Sequence, residues 1–88
     1  MAWVVDSKYL QHYQIWIKFN DGKEGIVDLK ELILTDPREI FSQLKDLNQF
    51  KSFKVDMDTI VWSNGADLAP EYLYDKTAAA NESVVSTH

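Results

Sequence analysis

The stretch His12-Tyr13-Gln14-Ile15-Trp16-Ile17-Lys18-Phe19, then Asn20-Asp21-Gly22, then Lys23-Glu24-Gly25-Ile26-Val27-Asp28-Leu29 decides the fold. Tyr13, Ile15, Ile17 and Phe19 alternate with His12, Gln14, Trp16 and Lys18, the period-2 pattern of a strand buried on one face. Asn20-Asp21-Gly22 is a turn signal, because Gly22 takes up positive φ with no Cβ to clash. Lys23 to Leu29 alternates again, so residues 12–29 are predicted to form a β-hairpin. Upstream, Trp3-Val4-Val5 is β-prone and is expected to add an earlier strand at the edge.

Downstream the periodicity changes. Asp28-Leu29-Lys30-Glu31 has the spacing of an N-cap with an acid three residues on, which suggests a short helical turn. Asp36-Pro37-Arg38-Glu39 is a stronger start, with a capping acid, a proline at the first helical position and a glutamate at the capping-box position. Ile40, Phe41, Leu44 and Leu47 then fall on one face of a helix expected over about 37–46. Phe53 with Val55, and Ile60 with Trp62, mark two more strands around an Asp56-Met57-Asp58-Thr59 turn. Ser63-Asn64-Gly65-Ala66-Asp67 is a second turn cluster. Residues 67–76 then read as a short helix, capped by Asp67, started by Pro70 and docked by Leu73 and Tyr74.

These elements predict an α+β fold: a small antiparallel sheet of about five strands with one covering helix and a short C-terminal helix, in the order β-β-β-α-β-β-α. Residues 1–76 are expected to form a single α+β domain and 77–88 a flexible C-terminal tail. At 88 residues, 45% apolar and 26% charged, the chain has room for one small domain of ordinary globular composition. Its eleven aromatic residues must carry much of the core, because so small a domain buries only about 60% of the surface its unfolded chain exposes. There is no apolar run of the ~20 residues a membrane span requires. The absence of cysteine and of a leader-like start makes the cytoplasm the expected location.

The net charge of −5 is unevenly placed. Residues 1–54 balance eight acids with eight basic residues, so the whole excess comes from Asp56, Asp58, Asp67, Glu71, Asp75 and Glu82 against Lys76. Such a field repels phosphate backbones, which argues against direct nucleic-acid binding, and it steers a basic partner toward the C-terminal third. A solvated acidic face that keeps the protein soluble is the bland alternative.

The sequence is expected to carry no complete catalytic or metal-binding constellation. Glu71 and Asp75 lie four apart, and with Asp67 they suggest a hard-oxygen cation site. Capping and the helix dipole explain the same residues, and no D-x-D-x-D-G loop is present. Asp56 and Asp58 fall at a hairpin tip, where nothing raises a carboxyl pKa for acid catalysis. Neither His12 nor His88 belongs to a nucleophilic arrangement, and neither a P-loop nor a G-x-G-x-x-G run occurs. No catalytic residue, cofactor or metal is expected. Trp16 departs from the alternation. Either the segment 70–76 or Trp3 covers it, or it is an exposed interface anchor.

From Phe50 onward, Phe53-Lys54-Val55-Asp56 and Thr59-Ile60-Val61-Trp62-Ser63-Asn64-Gly65-Ala66-Asp67-Leu68-Ala69-Pro70-Glu71-Tyr72-Leu73-Tyr74 resemble the Domain of Unknown Function 2442 family of small bacterial proteins. Phe19-Asn20-Asp21-Gly22 and Val27-Asp28-Leu29 fit the same pattern, so the resemblance spans about residues 3–75. It implies a small protein without an agreed activity, often encoded beside a small toxin-like protein; some relatives carry a helix-turn-helix domain, which the residues after Lys76 are not expected to form. The motif itself reads as structural: Trp62 packs, Asn64 and Gly65 turn the chain, Asp67 caps, Pro70 starts the helix, and Leu73 and Tyr74 dock it.

The expectation is therefore a non-enzymatic, antitoxin-like protein-binding module that engages a small basic partner through Asp67, Glu71 and Asp75, with Trp16 as an apolar anchor. The alternatives are a self-associating accessory domain of a transcription-regulatory system, forming a homo-oligomer, and a small metal-dependent enzyme.

Overall fold

The computed structural model describes residues 2–77. Strand β1 (Val4–Gln11), β2 (Gln14–Phe19) and β3 (Glu24–Asp28) form one antiparallel sheet in that order. Helices α1 (Lys30–Thr35), α2 (Glu39–Ser42) and α3 (Leu47–Phe50) follow, with a 3-10 turn at Gln43–Lys45 between the last two. A second antiparallel sheet is built from β4 (Lys54–Asp56), β5 (Thr59–Val61) and β6 (Asp67–Leu68), and helix α4 begins at 70 and runs through 77. The class is α+β. The expected single sheet of five strands is instead two sheets of three, joined where the Val4 amide donates to the Asp58 carbonyl at 2.9 Å.

The hairpin over 12–29 forms with the expected inward residues: Ile15, Ile17, Phe19 and Val27 are buried. His12 leaves β2 to sit in the tight β1–β2 turn at φ 48°. The early strand is longer than the Trp3-Val4-Val5 signal. Two register shifts, between Val4 and Asp6 and between Tyr9 and Gln11, interrupt its alternation and hide it from a period-2 reading.

The helix expected over 37–46 is three short pieces, for two local reasons. The Asp36 carboxylate accepts from both the backbone amide and the guanidinium of Arg38, holding Arg38 extended, so helical geometry starts only at Glu39. Asp46 is also extended, and its carboxylate accepts the Asn48 amide at 2.9 Å, ending one turn and capping the next. Phe41, Leu44 and Phe50 all point into the core from these pieces.

Strand β6 was hidden by a turn. Phe19-Asn20-Asp21-Gly22-Lys23 and Trp62-Ser63-Asn64-Gly65-Ala66 make the same loop twice. In each, the first amide donates to the fifth carbonyl at 2.8 Å, the fourth amide donates to the first carbonyl at 3.0 Å, and the glycine has φ near +90°. The third side chain closes the loop: Asp21 accepts the Lys23 amide and Asn64 accepts the Ala66 amide. A loop of this form returns the chain antiparallel, so Asp67 and Leu68 pair with Val61 and Ile60. Asp67 is therefore a strand residue and not the cap of α4. The first α4 bond runs from the Leu73 amide to the Ala69 carbonyl, and Pro70 fits at the helix start because its missing N–H has no partner there.

Phe50 is the hub of the core. Its ring meets Tyr13 edge-on at a centroid distance of 5.2 Å, Tyr9 and Phe53 at 6.2 Å, and Trp62 at 5.9 Å, while its carbonyl accepts the Trp62 indole N–H at 2.8 Å. Leu73 is fully buried, and so is Thr77, whose hydroxyl donates to the Leu73 carbonyl. The helix thus carries on past the expected boundary at 76, and the remainder of the expected tail, 78–88, lies outside the described residues.

Asn64 also donates to the Ile40 carbonyl at 2.9 Å and to the Gln43 side-chain oxygen at 2.8 Å. An aspartate there keeps the Ala66 bond but turns two attractions into oxygen–oxygen repulsions. Asn64→Asp is expected to cost about 1–3 kcal/mol of stability in urea denaturation, whereas Asn64→Asp without a fall in the midpoint would mean these bonds contribute nothing. The opposite sign is expected at the β4–β5 turn, where Met57 and Asp58 both hold positive φ, at 49° and 67°. Replacing the pair by Asn-Gly is expected to raise stability by roughly 1 kcal/mol in the same assay, by removing the steric cost of left-handed backbone.

Candidate functional site

The loop 19–23 and helix α4 are locked together through Tyr74. Its ring packs edge-on against Phe19 at 5.0 Å, its hydroxyl donates to the Asp21 carboxylate at 2.7 Å, and the Lys23 ammonium lies 4.4 Å over its centroid. Phe19 faces inward, so this contact sets α4 on the core side of the first sheet and leaves Glu71 and Asp75, four residues apart, on its exposed side. Asp21, Glu71 and Asp75 line one groove together with Ala2 and Tyr74.

That groove continues. Asp75 also borders a second hollow with Glu31, Leu32, Thr35, Tyr72 and Lys76, and Glu31 borders a third with Asp28 and Lys30. Five carboxylates, Asp21, Glu71, Asp75, Glu31 and Asp28, thus follow one another along linked depressions. Three of them come from the N-terminal part of the chain, whose charges cancel in the sequence. Folding, not local composition, assembles this acidic belt. Asp21 and Glu31 had no signal beyond turn and helix-start grammar.

The expected contact set is divided by the structure. Glu71 and Asp75 belong to the belt. Asp67 lies on β6, paired with Val61, and does not line those hollows. Trp16 is half-buried on the opposite, outward face of the first sheet, between Lys8 of β1 and Ile26 of β3, with its indole N–H directed to Glu24 at 3.4 Å. Helix α4 therefore does not cover it. Trp62, Asn64, Gly65, Pro70, Leu73 and Tyr74 all take part in holding the second sheet and α4 in place, as described above. Gln49 and Ser52 join them: the Gln49 amide donates to the Ser63 hydroxyl and the Ser63 hydroxyl to that of Ser52, each at 2.9 Å.

Local hydrogen bonds keep Asp21 ionised. The Lys23 backbone amide and the Tyr74 hydroxyl hold the Asp21 carboxyl below its ordinary value of 3.8, and the same hydrogen bond pushes the Tyr74 phenol above 10.0. The Arg38 guanidinium and amide take Asp36 down to about 2, but that pair serves the start of α2 and lies outside the belt. Among the described residues there is no group of three or more His, Cys, Asp or Glu side chains placed to hold a metal ion, so Asp67, Glu71 and Asp75 do not converge on one. No helix of the described residues is long and apolar enough to cross a membrane.

A small two-sheet α+β domain with an acidic flank and a conspicuous Trp-Ser-Asn-Gly corner is what this geometry defines. The model of a family described as protein of unknown function, DUF2442, matches residues 4–79, and the chain belongs to that family. No curated protein and no solved structure matches it.

Because the Asp21 pKa is depressed on folding, its contribution is present above pH 3.8 and is lost as pH falls through the lower folded value. The raised Tyr74 pKa works the other way, present below pH 10.0 and lost above it. Tyr74→Phe should therefore lower the melting temperature across the neutral range, with the gap to wild type closing in strong acid. A carboxyl NMR titration should find Asp21 nearer 3.8 in the variant; an unmoved titration would show that the hydroxyl does not hold it.

Proposed function

We propose that this protein is a non-enzymatic binding module whose acidic belt engages a small basic protein, in an antitoxin-like arrangement. The observation that carries the reading is the alignment of Asp21, Glu71 and Asp75 around one groove, with Asp21 held ionised by Tyr74 and the Lys23 amide. Like-signed carboxylates gathered on a rigid helix and loop repel each other in the free protein, and a cationic partner relieves that repulsion on docking. The groove is open and shallow, suited to protruding Lys or Arg side chains. Phosphate-bearing ligands meet the wrong sign of charge here.

The test is capture from a lysate of the source organism by wild type beside Glu71→Lys/Asp75→Lys. Both positions are exposed and outside the core, so the variant is expected to fold. A small basic protein should be held by wild type, with its affinity falling at least tenfold in the variant and its salt dependence flattening. Equal capture by both proteins, with the fold intact, would end this reading.

A further inference from the structure

Strand β3 is the outer strand of the first sheet. Its bonds to β2 begin with the Phe19 amide on the Lys23 carbonyl and finish with the Leu29 amide on the Tyr13 carbonyl. Antiparallel alternation places Gly25 and Val27 in the bonded series between them, and leaves Glu24, Ile26 and Asp28 with N–H and C=O groups directed away from β2. Among the described residues no strand pairs with that edge. The same three residues carry exposed side chains on the outward sheet face, with Ile26, 50% exposed, directly beside Trp16.

The side chains choose among occupants. A second copy would pair antiparallel about Ile26, which puts Glu24 opposite the other copy's Asp28 at both ends of the contact. Like charges directly opposite are destabilising, so the edge disfavours pairing with its own copy in this register. A strand with Lys or Arg at two positions four apart and an apolar residue midway matches it at all three places. Its cations meet Glu24 and Asp28, and its apolar side chain extends the Trp16–Ile26 row.

We propose that the free edge of β3 is a strand-addition site for an extended basic segment of a partner protein. Main-chain hydrogen bonds from Glu24, Ile26 and Asp28 supply the affinity, and the acid–isoleucine–acid row supplies the selectivity. The proposal rests on the basic-partner reading for the sign of the partner's charge; it shares Asp28 with the belt and uses none of Asp21, Glu71 or Asp75.

The probe is a capped synthetic peptide with a Lys-Thr-Val-Thr-Lys centre, read by NMR amide exchange on the full chain. In the free protein the amides of Glu24, Ile26 and Asp28 should exchange fast beside protected Gly25, Val27 and Leu29; saturating peptide should slow all three at least tenfold. Ile26→Pro removes an N–H that faces away from the sheet together with the isoleucine side chain and leaves the β2–β3 bonds in place, so it should keep the fold and abolish peptide binding. Glu24→Gln/Asp28→Asn keeps an acceptor for the Lys30 amide, which Asp28 now binds at 2.9 Å, and should weaken binding at least tenfold. Glu71→Lys/Asp75→Lys should bind the peptide as wild type does. Absence of slowing, or equal slowing by a Glu-Thr-Val-Thr-Glu peptide, overturns the proposal. Protection that grows with protein concentration assigns the edge to a second copy and overturns it too. Binding lost in Glu71→Lys/Asp75→Lys but kept in Ile26→Pro would place the peptide on the α4 groove instead and leave the basic-partner reading standing alone.

Discussion

The bond from the Trp62 indole to the Phe50 carbonyl is the constraint around which this small domain is arranged. A buried indole N–H needs an acceptor, and a carbonyl in the last turn of a helix has lost its helical partner. One contact satisfies both. It forms where the aromatic rings of Tyr9, Tyr13, Phe53 and Trp62 converge on Phe50, so both sheets and the helical stretch between them meet at one residue. Asn64, two residues on, adds the Ile40 and Gln43 bonds that hold the corner flush against α2. With residues 62–64 pinned, the Gly65 loop can return the chain only along β5, and α4 starts where its Tyr74 reaches Asp21. The position of Glu71 and Asp75 on α4 follows in turn from that buried hydrogen bond.

How much of this was readable in the sequence depended on how local each determinant was. The hairpins at 12–29 and 54–61 follow from alternation and turn residues that act within a few positions, and both formed. The buried faces of β2 and of the Phe41–Leu44 segment were equally plain. What failed were features set by competition between signals. The helix expected over about 37–46 ran unbroken to Asp46, although Asp46-Leu47-Asn48-Gln49 carries the grammar of a fresh helix start. Asp67 ahead of Pro70 mimicked a cap, and a strand of two residues had no periodicity with which to argue back. The repeated loop, Phe-Asn-Asp-Gly-Lys and Trp-Ser-Asn-Gly-Ala, was the available clue. An aromatic strand end followed by an Asx-Gly return means a hairpin in both places, and the first of the two was already identified as one.

Charge was the least local quantity and the one that changed most on folding. In the sequence the N-terminal two-thirds are neutral, yet Asp21, Glu31 and Asp28 come to lie in line with Glu71 and Asp75. Several of the compensating cations are drawn onto rings: Lys23 over Tyr74, Lys51 over Tyr9 and Lys76 over Tyr72. Sums along a chain average over faces that the fold keeps apart, whereas a docking partner senses charges within about 10 Å of its own. For the same reason Trp16 and the acids of α4, which composition alone would pool into one surface, sit on opposite sides of the first sheet.

Dividing the six strands of the described residues between two sheets doubles the number of edges that must be kept from unwanted pairing. Three of the four are managed by geometry. β1 carries two register shifts and leans its Tyr9 on Phe50, β4 has three residues, and β6 has two. Strand β3 has five residues in unbroken register with β2, so its free side is the regular edge among the described residues. Its only guards are Glu24 and Asp28, and charge is a selective guard. It disfavours an acidic strand, and a copy of itself centred on Ile26, while remaining open to a basic one. The same spacing that keeps the protein from aggregating through β3 therefore also specifies what β3 can accept.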